Sequence, residues 1–164
     1  MKKDNSPQGY IDEDIKTLLE KINSHPEYET TSSCSGRIVL LNSQRKGESK
    51  WLFKSHAPVK AEDIIEALEG RAWFMQEPII LHVRCKTLDA AEKLLSIANS
   101  LGLKKSGITS VKGIMVEVKG TERIETVLEK GMVSEEYIRL LVEEANGKLL
   151  KAKEKIKKLE EAFS

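Results

Sequence analysis

Cysteine, aromatic side chains and long apolar runs are all scarce in this chain. Cys34 and Cys85 are its only thiols, too few for a disulfide framework and suited to a reducing compartment in which both stay free. No stretch of about 18 apolar residues occurs, so no membrane-spanning helix is expected. The opening MKKDNSPQGY has two lysines but no apolar stretch behind them, which is not the pattern of a signal peptide; a cytoplasmic location is the expectation. Glycine-rich phosphate loops are missing too. There is no G-x-G-x-x-G and no G-x-x-x-x-G-K-[ST], so neither a Rossmann-type dinucleotide site nor a P-loop is expected. No G-x-S-x-G elbow supports a Ser-His-Asp hydrolase. His25, His56, His82 and the two cysteines show no local pairs such as C-x-x-C or H-x-x-x-H, and no metal is expected.

What is present is charge. Charged residues make up 32% of 164 residues and aromatics 5%, a Lys/Glu-rich balance that suits a soluble, thermophile-type protein. The length allows one domain with a real core. Net charge is only +1, but its distribution is uneven. Between positions 34 and 60 lie six basic residues, Arg37, Arg45, Lys46, Lys50, Lys54 and Lys60, against Glu48 alone. Positions 61–80 are acidic, 81–119 basic again and 120–147 acidic. That alternation builds either a basic and an acidic face or a mixed solvated surface.

Periodicity places the elements. Ile11, Ile15, Leu18, Leu19 and Ile22 recur at helical spacing up to Pro26. Strands are expected over 27–32, 37–42 and 50–55, the last two paired across a turn at Gln44–Glu48. A short helix covers 61–68, and strands cover 72–76 and 79–85. A second amphipathic helix carries Leu88, Ala91, Leu94, Leu95, Ala98 and Leu101, with Thr87 as N-cap and Gly102 as C-cap. Strands near 105–110, 113–119 and 122–130 follow. A final helix starts at Ser134 and runs over 134–164, about 45 Å at 1.5 Å per residue. Its Val142, Ala145, Leu149, Ala152, Ile156, Leu159 and Phe163 form a heptad-like seam, which allows a helical dimer. The elements do not alternate strictly, so the expected class is α+β: a single domain, 1–164, with a mostly antiparallel or mixed sheet, flanking helices and a long C-terminal helix.

Several residues sit oddly for a plain core. In ILHVRC, alternation puts Leu81, Val83 and Cys85 on one face and Ile80, His82 and Arg84 on the other. His82 is then a structural histidine or a functional one. Between two strand-like runs, Ser32-Ser33-Cys34-Ser35-Gly36-Arg37 gathers hydroxyls, a thiol and a guanidinium. One reading is a hairpin turn or bulge with Gly36 at the bend. The other is a small-residue loop cradling a carboxylate, ribose or phosphate, with Arg37 as a planar fork. Cys34 reads as a small packed residue rather than a nucleophile.

Four ordered motifs decide between these readings. Thr30-Thr31-Ser32-Ser33-Cys34-Ser35-Gly36-Arg37-Ile38 resembles the signature of the tRNA wybutosine-synthesizing protein 3 family. Trp51-Leu52-Phe53-x-Ser55-His56 resembles its W-x-F-x-S-H element. Glu77-Pro78-Ile79-Ile80-Leu81-His82-Val83-Arg84-Cys85 resembles its P-x-I-L-H-V-x-C strand. Ser106-Gly107-Ile108, followed by Gly113 and Val116-Glu117-Val118, resembles its S-G-I…G…V-x-V hairpin. The resemblance covers about residues 10–150; Lys104-Lys105 departs from the aromatic-Arg pair it would place before Ser-Gly-Ile.

The resemblance implies a non-Rossmann methyltransferase that uses S-adenosylmethionine. Its substrate is tRNA-Phe, methylated at N-4 of the tricyclic demethylwyosine base beside the anticodon. Such a reaction needs no metal and no covalent nucleophile; the protein must align the reacting atoms and remove a proton. His56 and His82 are then the candidate proton acceptors. Ser32, Ser33, Ser35, Gly36, Arg37, Ser106 and Gly107 are candidates for binding cofactor or base. Arg45, Lys46, Lys50, Trp51, Lys54 and Arg84 are candidates for tRNA, Trp51 by stacking if it is exposed. The competing reading from another class is a non-catalytic RNA-binding module with the same basic face and no cofactor.

Overall fold

The computed structural model describes residues 11–43 and 47–164. In chain order the elements are a 3₁₀ turn Glu13–Ile15, α1 Lys16–Ser24, β1 Tyr28–Cys34, β2 Arg37–Leu41, β3 Trp51–Ser55, α2 Ala61–Ala67, β4 Arg71–Glu77, β5 Ile80–Cys85, α3 Leu88–Ser100, β6 Gly107–Ser110, β7 Met115–Lys119, β8 Ile124–Glu129 and α4 Glu135–Ala162. Among the described residues, helices and antiparallel ladders are mixed without repeating βαβ units, so the class is α+β and not Rossmann-type. The strands form two four-stranded sheets, β1-β5-β7-β6 and β3-β2-β4-β8, and the chain divides into two compact units, each holding one sheet.

The first unit comprises residues up to Ser35, Ile79–Thr121 and Ala152–Ser164. Its sheet buries Leu81, Val83 and Cys85 of β5 with Val116 and Val118 of β7. They pack with Leu18, Leu19 and Ile22 of α1, Ala91, Leu94 and Ala98 of α3, and Ile156, Leu159 and Phe163 at the C-terminal end. α3 begins where Thr87 Oγ1 accepts the Ala90 N–H at 3.1 Å, and it ends before Gly102, whose φ of +78° only glycine adopts without strain. Period-2 alternation leaves His82 and Arg84 on the face opposite the core, as expected.

β1 departs from that alternation. It pairs with β5 through Tyr28↔Cys85, Glu29↔Arg84 and Thr30↔Val83, then slips by one residue to Ser32↔His82 and Ser33↔Leu81. Thr31 is the extra residue of a β-bulge. Strict alternation would have sent Ser32 to the core side with Tyr28 and Thr30; the bulge turns it to the face of His82 instead.

The second unit comprises Gly36–Pro78 and Glu122–Lys151. Ile38 and Leu40 of β2, Ala72 and Phe74 of β4, and Leu128 of β8 pack under Ile64 of α2, Leu68, and Ile138, Val142, Ala145 and Leu149 of α4. The segment before α2 is clamped by Asn146, which accepts the Val59 N–H at 2.9 Å and donates to its carbonyl at 2.8 Å. The amide side chain acts there as a strand partner.

Three expectations are corrected. Ser35-Gly36 is not a hairpin turn: β1 pairs with β5, whereas β2 pairs with β3 and β4, so these two residues pass the chain from one sheet to the other. Ser32, Ser33 and Cys34 belong to β1 rather than to a loop, because their ladder with β5 continues past the bulge. Leu88 is 60% exposed; as the first residue of α3 it lies beyond the end of the apolar stripe. The seven seam positions of the last helix are all buried, three in each unit's core. The seam serves this chain's own cores, which removes the feature that suggested a helical dimer.

Candidate active site

Register brings part of the predicted site into one row. Ser32 of β1, His82 of β5, Glu117 of β7 and Gly107 of β6 are successive cross-strand partners on the first unit's sheet. Ser32 Oγ lies 2.9 Å from His82 Nδ1, and His82 Nε2 lies 3.2 Å from Glu117 Oε2. Lys119 Nζ stands 3.8 Å from the other carboxylate oxygen of Glu117. Thr31, the bulged residue, donates its hydroxyl to the His82 carbonyl at 3.3 Å, which ties the bulge to the strand carrying the histidine. The His82 and Glu117 side chains are half-buried. Arg84 lies further along β5 and is paired with Glu29 at 3.0 Å.

A cleft of about 740 Å³ opens along edge strand β1 and α1, within the same unit. Ser32 and Ser33 line it, with Asn23, Tyr28, Glu29 and Lys86 among the other walls. Asn23 shapes the cleft: its Oδ1 accepts the Thr30 N–H at 2.8 Å and its Nδ2 donates to Thr30 Oγ1 at 2.7 Å. The amide thereby satisfies an edge-strand donor that would otherwise need water. Ser35, Ser106 and Gly107 do not line the cleft. Ser106 is committed to its turn, donating to the Leu103 carbonyl at 2.6 Å and accepting the Lys119 N–H at 3.0 Å. Ser35 is fully buried in a polar network: its N–H donates to Asp12 Oδ2 at 2.8 Å, and its hydroxyl accepts from Lys153 Nζ at 2.7 Å. Lys153 is in turn paired with Asp14 at 2.8 Å.

The second unit holds the other predicted residues. His56 Nδ1 is 3.0 Å from the Gly36 carbonyl. A carbonyl only accepts, so Nδ1 carries the proton of that bond. Gly36 has φ +93°, a conformation that reserves the position for glycine. Arg37 donates through Nε to Glu77 Oε2, its cross-strand partner, and its guanidinium carbon lies 4.8 Å from the Trp51 ring centroid. Lys54 Nζ lies 5.7 Å from the same ring. Trp51 is 44% exposed, which meets the condition set for stacking. Lys50 is exposed just before β3. Arg37, Trp51 and Lys54 therefore form one cationic aromatic patch, while Arg45 and Lys46 lie outside the described residues.

The full chain, residues 1–164, matches the family described as methyltransferase TYW3. The chain belongs to that family. Among similar proteins of the TYW3 family, one from Pyrococcus horikoshii is 44% identical over 93% of this chain and 84% of its own length; it is named tRNA(Phe) 7-((3-amino-3-carboxypropyl)-4-demethylwyosine(37)-N(4))-methyltransferase 1. The mouse tRNA wybutosine-synthesizing protein 3 homolog is 41% identical over 94% of this chain and 66% of its own length. The solved structure of PH1069 protein from Pyrococcus horikoshii superposes with a TM-score of 0.87 at 42% identity, covering 96% of this chain and 87% of that one.

Within this TYW3-family chain, sequence reasoning passed over Glu117, Asn23, and the two residues that hold Ser35, Asp12 and Lys153. Glu117 sits between Val116 and Val118, so alternation alone puts it on the open face. That it meets His82 depends on the β5–β7 register, which no local pattern announces. Asp12 and Lys153 reach Ser35 from 23 and 118 positions away, beyond any spacing rule.

Proposed function

We propose that this chain transfers a methyl group from S-adenosylmethionine to N-4 of the 7-aminocarboxypropyl-demethylwyosine base of tRNA-Phe, acting as one cytoplasmic domain, 1–164. The observation that carries the reading is the activity named for a relative 44% identical over 93% of the chain. Family membership in a methyltransferase family favours the enzyme over a non-catalytic RNA-binding module. Among the described residues, no helix is long and apolar enough to cross a membrane.

The cleft beside β1 fits the donor in size and chemistry. Pockets for ligands of this class run to about 300–1,000 Å³. Lys86 offers a cation for an amino-acid carboxylate, Glu20 an acceptor for ribose hydroxyls, and Ile11, Leu19 and Tyr28 an apolar wall for a purine. S-adenosylmethionine supplies a methyl group already activated on a positively charged sulfur. What remains for the chain's own residues is to hold the acceptor nitrogen, exclude water and take up one proton. Ser32 supports that division of labour, since it both lines the cleft and touches His82. The patch of Arg37, Trp51 and Lys54 has the composition that holds single-stranded RNA, with cations for phosphate and an indole for a base.

Calorimetric titration of S-adenosylmethionine tests the reading. Saturable binding that Lys86→Ala weakens supports it. Absence of binding, with tRNA affinity intact, returns the chain to the RNA-binding alternative.

A further inference from the structure

We infer that Ser32, rather than a histidine, is the group that takes the proton from the base, with His82 and Glu117 behind it as a relay; the inference rests on the methyl-transfer reading above. Both ring nitrogens of His82 are occupied, Nδ1 by Ser32 Oγ at 2.9 Å and Nε2 by Glu117 Oε2 at 3.2 Å. Neither is left to meet a substrate N–H directly. A carboxylate only accepts, so in the neutral ring Nε2 carries the hydrogen and Nδ1 presents its lone pair to the serine hydroxyl. Ser32 donates to that lone pair and keeps its own oxygen lone pairs for an incoming proton. Of the three residues, Ser32 alone lines the cleft. The Thr31 bulge is what sets it opposite His82.

The proton balance closes. As the bond from N-4 to the methyl carbon forms and the sulfur–methyl bond breaks, sulfur becomes a neutral thioether. The N-4 hydrogen passes to Ser32 Oγ, and the hydroxyl's original hydrogen passes to His82 Nδ1. Ser32 ends neutral, and the imidazolium is held by Glu117. The arrangement links hydroxyl, imidazole and carboxylate in the order used by serine hydrolases, but here it moves a proton instead of launching a nucleophile. Ser32 forms no covalent bond. His82 and Glu117 are positioning residues for it.

The experiment begins with wild-type single-turnover methyl transfer to tRNA-Phe bearing the unmethylated tricycle. If wild type transfers nothing, the functional reading itself fails. Given wild-type transfer, Ser32→Ala should slow the step by about 10²-fold or more, Ser32→Thr should retain most of the rate, and S-adenosylmethionine affinity should be unchanged in Glu117→Gln. The double variant Ser32→Ala/His82→Ala should be no slower than His82→Ala alone, within about threefold, because members of one relay do not add. Nitrogen-15 spectra of ligand-free protein should show neutral His82 protonated on Nε2, with that preference kept in Glu117→Gln, whose amide oxygen still accepts, and lost in Glu117→Leu. A Ser32→Ala rate near wild type, multiplicative loss in the double variant, or a wild-type ring protonated on Nδ1 would each overturn the relay.

Discussion

Replacing Arg37 by lysine separates a planar fork from a point charge. Arg37 donates through Nε to Glu77 and lies over Trp51, with the two side chains of the pair 19% and 23% exposed. Lysine keeps the charge beside Glu77 but cannot also lie flat on the indole. The lost stacking is worth about 0.5–1 kcal/mol at a partly exposed ring. Arg37→Ala loses more, because Glu77 keeps its charge in a half-buried site without a cation. A charge-assisted hydrogen bond contributes about 1.5–3 kcal/mol, so alanine should cost about 2–4 kcal/mol once the lost stacking is added. At about 2–4 °C per kcal/mol for a chain of this size, lysine should lower the melting temperature by about 1–4 °C and alanine by about 4–16 °C. Arg37 does not line the cleft, so S-adenosylmethionine affinity should stay at the wild-type value in both variants. Methyl transfer should nevertheless fall sharply in Arg37→Lys, since the terminal guanidinium nitrogens make no hydrogen bond among the described residues and can grip phosphate in a fork that lysine lacks. A lysine variant within about threefold of wild-type turnover, roughly 0.65 kcal/mol in barrier terms, would refute the reasoning.

Other outcomes follow from the same geometry. Cys34→Ala should keep substantial turnover, since transfer from a sulfonium needs no thiol; a folded but inactive variant, or methyl-cysteine found by mass spectrometry, would contradict this. Burial pushes the Cys85 thiol up to about 11, so Cys85 should resist alkylation at neutral pH while half-buried Cys34 reacts first, as peptide mapping would show. The unfolded thiol ionises near its ordinary value while the folded one stays protonated, so this group's contribution to stability is full below about pH 8.5 and is lost as pH rises toward about 11; Cys85→Ala should flatten that part of a stability–pH curve. His56→Ala should act through the Gly36 carbonyl it bonds and so should spare the proton-transfer step, whereas His82→Ala should slow that step by about 10²-fold or more; single-turnover rates compared with melting curves separate the two. Trp51→Ala should lower tRNA affinity by about tenfold while leaving the salt dependence unchanged, as read by fluorescence anisotropy, because a stacking contact releases no counterions.

Legibility in the sequence followed the range of the forces involved. Helices α1 and α3 and the seam of α4 are written as three-four spacings, and every seam residue from Val142 to Phe163 is buried. The Thr87 cap and the Gly102 stop are local chemistry, and both stand where spacing put them. The split into two sheets was not legible. Ser35-Gly36 reads like a hairpin turn because turn chemistry is local, whereas strand partners are chosen by distant segments. The bulge at Thr31 was hidden for a related reason: in a Thr-Thr-Ser-Ser run no apolar marker records which residue leaves the ladder. His82 and Ser32 could be singled out by type, but their contact, and the arrival of Glu117 behind them, depend on two registers at once. Serine-rich composition therefore pointed to a polar site without showing that the hydroxyl and N–H of Ser35 are spent on Lys153 and Asp12.

Nucleoside mass spectrometry after one turnover would show the methyl transfer itself. Purified protein, S-adenosylmethionine labelled in its methyl group and tRNA-Phe carrying 7-aminocarboxypropyl-demethylwyosine would be combined, and the tRNA digested to nucleosides. One labelled methyl is expected on the tricyclic nucleoside, located at N-4 by fragmentation and absent when the tRNA carries plain guanosine at that position. Label on another nucleoside, or an unmodified tricycle despite saturating donor, would contradict it.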